Sequence, residues 1–237
     1  MKCRFCGGER IMKPILTPRL QTVADMINDR GTVADIGTDH AYLPIYLISE
    51  NKCRRCVAAD IAVGPLNRAK EYITKYLGKT DRIETVLSDG LKSIKDPCDV
   101  ITVAGMGGET IAQILEEADL RKGQTVILQP MSKAHELRKF LFENGFEIND
   151  EKAVGEGERV YSVIYAVKTD RKHGYDPTET YISAPLLARS DEDAKRYKEK
   201  VARAVKKKLT GLEKAEIKNE AELAEWRKIY ERLEKAL

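Results

Sequence analysis

The sequence predicts an α/β fold, a mostly parallel sheet with helices on both faces, followed by a helical tail. Two observations predict it. Between about residues 32 and 170, short apolar runs alternate with amphipathic helical patterns, as repeated strand-helix units require. Beyond residue 190 the strand signal stops and strong helix formers run almost unbroken to residue 237.

Residues 1–11 read as an extension. Cys3-x-x-Cys6 with two glycines is half of a zinc knuckle, but Cys53-x-x-Cys56 lies about fifty residues on and runs into an apolar strand, so no metal site is expected. Thr17 as N-cap and Pro18 at the first helical position open a helix with Leu20, Val23, Ala24 and Ile27 on one face, and Gly31 is expected to end it. Strands are predicted over 32–36, 56–60, 83–87, 100–104, 125–129, 146–154 and 160–167, with helices near 44–50, 65–77, 109–118 and 132–143. The last two strands have no helix between them. Their turn, Gly155-Glu-Gly157, predicts an antiparallel hairpin at or near one sheet edge.

In the tail, Leu223, Trp226, Tyr230, Leu233 and Leu237 repeat at spacings of 3 and 4, a coiled-coil seam. Ala194, Tyr197, Val201, Ala204 or Val205, and Leu212 form a looser matching stripe. Gly211 or the polar segment 216–220 is placed to reverse the chain into an antiparallel helical hairpin, the alternative being one continuous helix that dimerises. The expected organisation is an extension 1–11, an α/β domain 12–170, a linker 171–189 and a coiled-coil domain 190–237.

The net charge of +3 resides in the tail: residues 1–189 hold 27 basic and 27 acidic side chains, and residues 190–237 hold 14 and 11. Lys198, Lys200, Arg203, Lys206, Lys207 and Lys208 against Glu199 make a local charge of +5, enough to meet phosphates. No apolar run approaches the roughly 20 residues of a membrane span, the first residues lack a signal-peptide core, and five cysteines make no disulfide scaffold at this length. A cytoplasmic protein without membrane contact is expected.

In open parallel sheets ligands bind at the carboxyl ends of the strands, and here every strand end carries suitable residues. They are Asp35 with Gly37, then Asp60 and Ile61, Ser88-Asp89-Gly90, Ala104-Gly105-Met106-Gly107-Gly108, and Gln129-Pro130-Met131. Asp60 lies 23 residues beyond Gly37, a separation at which a carboxylate accepts hydrogen bonds from a ribose. Asp89 is placed to receive an adenine amino group. A dinucleotide needs Gly-x-Gly-x-x-Gly to meet its pyrophosphate, whereas this turn has one glycine and two acids, Asp35 and Asp39. Those acids repel a pyrophosphate and attract a sulfonium or an ammonium. S-adenosylmethionine offers both.

The runs Asp35-Ile-Gly-Thr-Asp-His-Ala-Tyr-Leu-Pro44, Ala104-Gly-Met-Gly-Gly-Glu-Thr-Ile111 and Gln129-Pro-Met131, followed by a helical tail, closely resemble the bacterial tRNA adenine-22 N1-methyltransferase family. The resemblance runs from about Leu16 to the C-terminus. It implies a Rossmann-like, seven-stranded methyltransferase fold, S-adenosylmethionine as donor and tRNA as substrate. Amino-methyltransferases usually end the fourth strand in an Asn/Asp-Pro-Pro-aromatic motif; here that position reads Ala104-Gly-Met-Gly-Gly108, a departure that fits a ring-nitrogen target.

On this reading Asp35, Gly37, Asp60, Ile61, Ser88, Asp89, Gly90, Ala104 and Gly105 hold the cofactor. Asp39 stabilises the cationic product or takes its amino proton, with His40 as the second catalytic candidate. Met106 offers a stacking face, Gly107 and Gly108 let the target base approach the backbone, and Lys198, Arg203, Lys206 and Lys207 meet phosphates. Pro44 at a first helical turn leaves residues 38–43 as a loop lining both sites. The alternative function is methylation of a small molecule, with the tail serving oligomerisation. A monomer is expected, with dimerisation through the coiled coil as the other arrangement.

Overall fold

In the structure, a computed structural model that describes residues 13–28, 31–169, 174–215 and 219–237, the chain begins with α1 (Pro18–Met26), β1 (Thr32–Ile36), α2 (Tyr42–Ser49), β2 (Arg55–Asp60), α3 (Val63–Leu77) and β3 (Ile83–Leu87). It continues through β4 (Val100–Gly107), α4 (Gly108–Glu116), β5 (Thr125–Ser132), α5 (Ala134–Glu143), β6 (Phe146–Glu156) and β7 (Arg159–Lys168). Two short helices follow, α6 (Pro177–Tyr181) and α7 (Ala184–Leu187), and then two long ones, α8 (Glu192–Glu213) and α9 (Glu220–Glu234). Cys3 and Cys6 lie outside the described residues.

All seven strands join one sheet in the order β3-β2-β1-β4-β5-β7-β6. Strands β1 to β5 pair in parallel, and β7 runs antiparallel to both β5 and β6. The expected hairpin is therefore the sheet edge. Helices cover both faces, which is why β1 is buried at all five positions rather than at alternate ones. One face packs Val23, Met26, Ile45 and Ile73 from α1 to α3, and the other packs Ile111, Leu115, Leu137 and Leu141 from α4 and α5.

Some boundaries differ from the sequence reading. Helix α1 ends at Met26 with Ile27 extended, so Gly31 does not cap it; a Cβ at Gly31 would instead strike Asp99, which caps the start of β1 by accepting from the Thr32 amide at 2.8 Å. Helix α2 starts at Tyr42, two residues before Pro44, which narrows the expected loop. Proline is tolerated there because first-turn amides have no intrahelical partner to lose. Strand β4 runs on to Gly107 through register shifts at Ala104 and Met106.

The tail is an antiparallel hairpin within one chain. Lys198 near the start of α8 reaches the Ala236 carbonyl just past α9 at 3.3 Å, and Glu213 pairs with Arg227 at 3.1 Å near the turn. Its seam is not quite the predicted one. Ile229, Ala202 and Leu209 are buried, whereas Leu237 is 57% exposed and Ala204 faces solvent. The reason is that the hairpin packs on the α/β domain as well as on itself. Tyr197, Val205, Ile229 and Leu233 share a cluster with Val160 of β7 and with Ile182 and Leu186.

Beneath that junction lies a buried ion pair. Arg138 of α5 donates to Glu151 of β6 from Nε at 3.0 Å and from Nη2 at 2.6 Å. The same guanidinium donates to the Thr180 and Tyr181 carbonyls and to the Tyr197 and Ser162 hydroxyls. Burial by itself would lower the Arg138 pKa, yet Glu151 and Tyr197 hold it above its ordinary value. One side chain thereby ties the sheet, α6 and α8 together.

Candidate active site

Strand order reverses between β1 and β4, so a crevice opens at their carboxyl ends between Gly37 and Gly105. Gly37 has φ of +76°, the left-handed region that favours glycine, and the flexible Met106 methyl occupies the space a Cβ would take. Behind it, Asp35 is buried and accepts from Thr102 Oγ1 at 3.0 Å. Burial pushes the Asp35 carboxyl above the usual range; the Thr38 and Thr102 hydroxyls pull it back, and the nearby Asp60 carboxylate adds to the rise. A cation in the crevice would relieve both effects.

The structure gathers Gly37, Asp60, Ile61, Ser88, Asp89, Gly90 and Met106 around one cavity of about 190 Å³. Asp60 Oδ1 accepts from the Ala62 amide at 2.8 Å, Ser88 Oγ donates to the Gly90 carbonyl at 2.8 Å, and Lys92 holds Asp89 at 2.6 Å. Ile61 is 70% exposed at the cavity rim, an apolar face suited to an aromatic ring. The volume falls below the roughly 300 Å³ at which ligand pockets begin, and the Met106 side chain lies over Gly37 at its wall. Methionine is unbranched and can swing aside. The donor set thus fits an adenosine bearing a cationic centre: an acid and a ring face for the nucleoside, and a buried acid for the cation. Ala104, Gly105 and Asp35 bound the crevice from the strands without lining this cavity.

Asp39 and His40 follow Gly37 on the loop into α2. Arg68 of α3 donates to Asp39 Oδ1 from Nη2 at 2.9 Å and from Nε at 3.2 Å, while His40 Nε2 lies 3.4 Å from Oδ2. His40 and Ala41 both adopt left-handed backbone, at φ of +61° and +52°, a strained conformation that clusters at functional sites. The imidazole stacks on Tyr42 at 5.4 Å and meets the edge of Tyr72 at 4.8 Å, and its Nδ1 is buried with no partner among the described residues. Neither Asp39 nor His40 lines the cavity around Gly37.

On the β4-β5 side, Gln129 Oε1 accepts from the Gly105 amide at 3.1 Å and from Arg19 Nη1 at 3.2 Å. Arg19 also lies over the Tyr161 ring at 5.1 Å and pairs with Glu156. The sequence reading missed Arg19, since an arginine on an amphipathic helix carries no local sign of a partner about 110 residues away. Gly107 is the N-cap of α4, and a Cβ on Gly108 would collide with the Lys133 carbonyl, so close packing on the backbone between β5 and α5 alone explains that glycine.

The basic tail residues divide. Lys198 is 5% exposed, and its ammonium donates to the Arg189 carbonyl at 2.7 Å and to that of Ala236 at 3.3 Å. This corrects its expected role: it closes the hairpin base and does not face phosphates. Burial lowers its pKa. Arg203, Lys206 and Lys207 are exposed.

The sheet order and the strand-end crevice define a Rossmann-like methyltransferase, and residues 16–164 match the family described as a methyltransferase domain. The chain is 40% identical over 164 residues to the tRNA (adenine(22)-N(1))-methyltransferase of Bacillus subtilis, covering 68% of each chain. Among solved structures, it matches the Bacillus subtilis m1A22 tRNA methyltransferase TrmK at 31% identity and a TM-score of 0.81, covering 94% of this chain and 98% of that one. It also matches M. capricolum TrmK in complex with S-adenosyl-homocysteine at 29% identity and a TM-score of 0.75, over 93% and 96% of the two chains. The chain belongs to the tRNA (adenine(22)-N(1))-methyltransferase family.

Proposed function

We propose that this protein methylates N1 of adenine 22 in tRNA with S-adenosylmethionine as donor. The observation that carries the reading is the 40% identity to an enzyme of that name, in a chain whose crevice fits the donor's chemistry. The same relationship favours tRNA over a small-molecule substrate.

S-adenosylmethionine, when bound, supplies an electrophilic methyl group on a sulfonium. With it bound, Asp60 would accept from the ribose hydroxyls, Ile61 would cover the adenine ring, Ser88, Asp89 and Gly90 would hold the nucleoside, and Asp35, Gly37, Ala104 and Gly105 would bound the cationic end. Adenine N1 has a lone pair and no proton, so no base is needed before attack, and alignment of the target supplies on the order of 7 to 11 kcal/mol. N1 lies on the Watson–Crick edge, so the base must leave its pair. The product ring is cationic. Asp39, oriented by Arg68, stabilises that charge, with His40 beside it as the second candidate. Met106 and the turn through Gly107 and Gly108 border the target base.

The helical hairpin serves as the RNA-binding arm through Arg203, Lys206 and Lys207. Its two helices cover each other, which supports a monomer; a tRNA substrate implies the cytoplasm. No helix among the described residues is long and apolar enough to cross a membrane.

The test is mass spectrometry of unmodified tRNA incubated with the protein and the donor. 1-Methyladenine at one position is expected, and tRNA that stays unmodified overturns the reading.

A further inference from the structure

A groove of about 670 Å³ separates the end of β5 from the helical hairpin, within the range of small-ligand sites. Its aromatic faces are connected. His135 stacks on Tyr181 at 5.5 Å with their planes 8° apart, and Tyr181 meets Trp226 of α9 edge-on at 5.2 Å. Cations accompany them: Lys208 lies 5.9 Å from the Trp226 ring, and Lys200, held by the Val160 carbonyl at 2.8 Å, sits 5.7 Å from Tyr161 and 5.5 Å from Tyr197.

A second cavity of about 510 Å³ shares Met131, Tyr161 and Lys200 with the first and adds Arg159, Arg196 and Arg203. The two form one path along α8. Of the side chains lining it, only Glu158 and Glu199 are acidic. The path begins beside the methyl-transfer crevice, since Met131 stands two residues beyond Gln129, whose side chain holds the Gly105 amide.

Stacking faces interleaved with cations suit an unpaired nucleic-acid strand, in which bases stack and phosphates find positive charge. The proposed reaction creates such a strand. Exposing N1 of one adenine removes that base from its stack and leaves its neighbour without a partner on one side. We propose that this groove is a second nucleobase subsite, which receives the base adjacent to the target adenine on Trp226 and Tyr181 while Lys208 and Arg203 meet its phosphates. The inference rests on the tRNA reading above and extends it to a site between the sheet and the hairpin.

Trp226→Leu keeps apolar bulk and removes the ring; Trp226→Phe restores a ring. Binding of unmodified tRNA is expected to weaken roughly tenfold in the leucine variant and to recover in the phenylalanine variant, with S-adenosylhomocysteine affinity unchanged in both. A tRNA transcript carrying 5-bromouridine beside the target adenine should photocrosslink the unsubstituted protein at Trp226, Tyr181 or His135, located by peptide mass spectrometry. That measurement decides the matter even if Trp226→Leu does not fold. Unchanged tRNA affinity in a folded leucine variant, or crosslinks confined to other residues, overturns the subsite and leaves the methyltransferase reading standing. If tRNA is neither bound nor methylated, both readings fall together.

Discussion

Glu151 on β6 and Asp35 on β1 are buried acids in the same sheet, yet only Glu151 is neutralised by the chain. Arg138 meets it with two hydrogen bonds and shares its three remaining N–H groups among two carbonyls and two hydroxyls. Asp35 receives the Thr102 hydroxyl and, among the described residues, no ion pair; its neighbouring acid, Asp60, makes its charge less favourable. A buried charge answered in full holds architecture together, whereas one left in deficit marks where a ligand of opposite charge belongs. The first fixes how the hairpin sits on the domain, and the second fixes what the crevice prefers.

Arg138 is where this contrast meets its most forceful challenge. Arg138→Met leaves Glu151 buried without a counter-charge and should cost about 3–5 kcal/mol in urea unfolding. Adding Glu151→Leu should recover most of that loss; a single variant within about 1 kcal/mol of the parent would show that the pair holds little.

Gly37→Ala places a Cβ at positive φ against Met106, and should cost roughly 1–3 kcal/mol of stability and abolish S-adenosylhomocysteine binding in calorimetry. Wild-type affinity would mean that neither the turn nor Met106 constrains the crevice.

Asp35→Asn should move stability the other way. With its pKa raised in the folded state, Asp35 costs nothing below the ordinary carboxylate range, where it is protonated in both states. The cost grows as pH rises through the folded value and is complete above it. The variant should therefore match the parent near about pH 3 and exceed it by about 1 kcal/mol near about pH 8, while losing cofactor affinity. A gap that closes with rising pH would contradict the burial cause. The smallest effect is expected from Arg227→Ala, which removes an exposed pair with Glu213 and should shift stability by less than about 0.5 kcal/mol.

Much of the crevice is legible in the amino-acid sequence. Gly37, Asp60, Ile61, Ser88, Asp89 and Gly90 converge on one cavity because a parallel sheet aligns its carboxyl ends, so residues that end successive strands become neighbours. Arg19, Arg138 and the Tyr181–Trp226 contact were not legible. Helical periodicity reports which face is apolar, but not which element covers it. Arg138 sits between Leu137 and Lys139 and reads as an ordinary flank of an amphipathic helix, although it is 1% exposed. Lys198 misled for the same reason, since a lysine on a basic helix looks solvated until another helix end closes over it.

By itself the sequence determined the order of elements, the sheet class, the edge hairpin, the helical tail and the acids at the strand ends. These follow from local periodicity, turn residues and spacing along the chain. Tertiary structure alone decided that the hairpin docks on β7 and the helices at 177–187, that Lys198 is internal, and that an aromatic and cationic groove opens beside the crevice. Those features depend on contacts between residues far apart in the chain, and burial and charge balance are set only when the partner surface arrives.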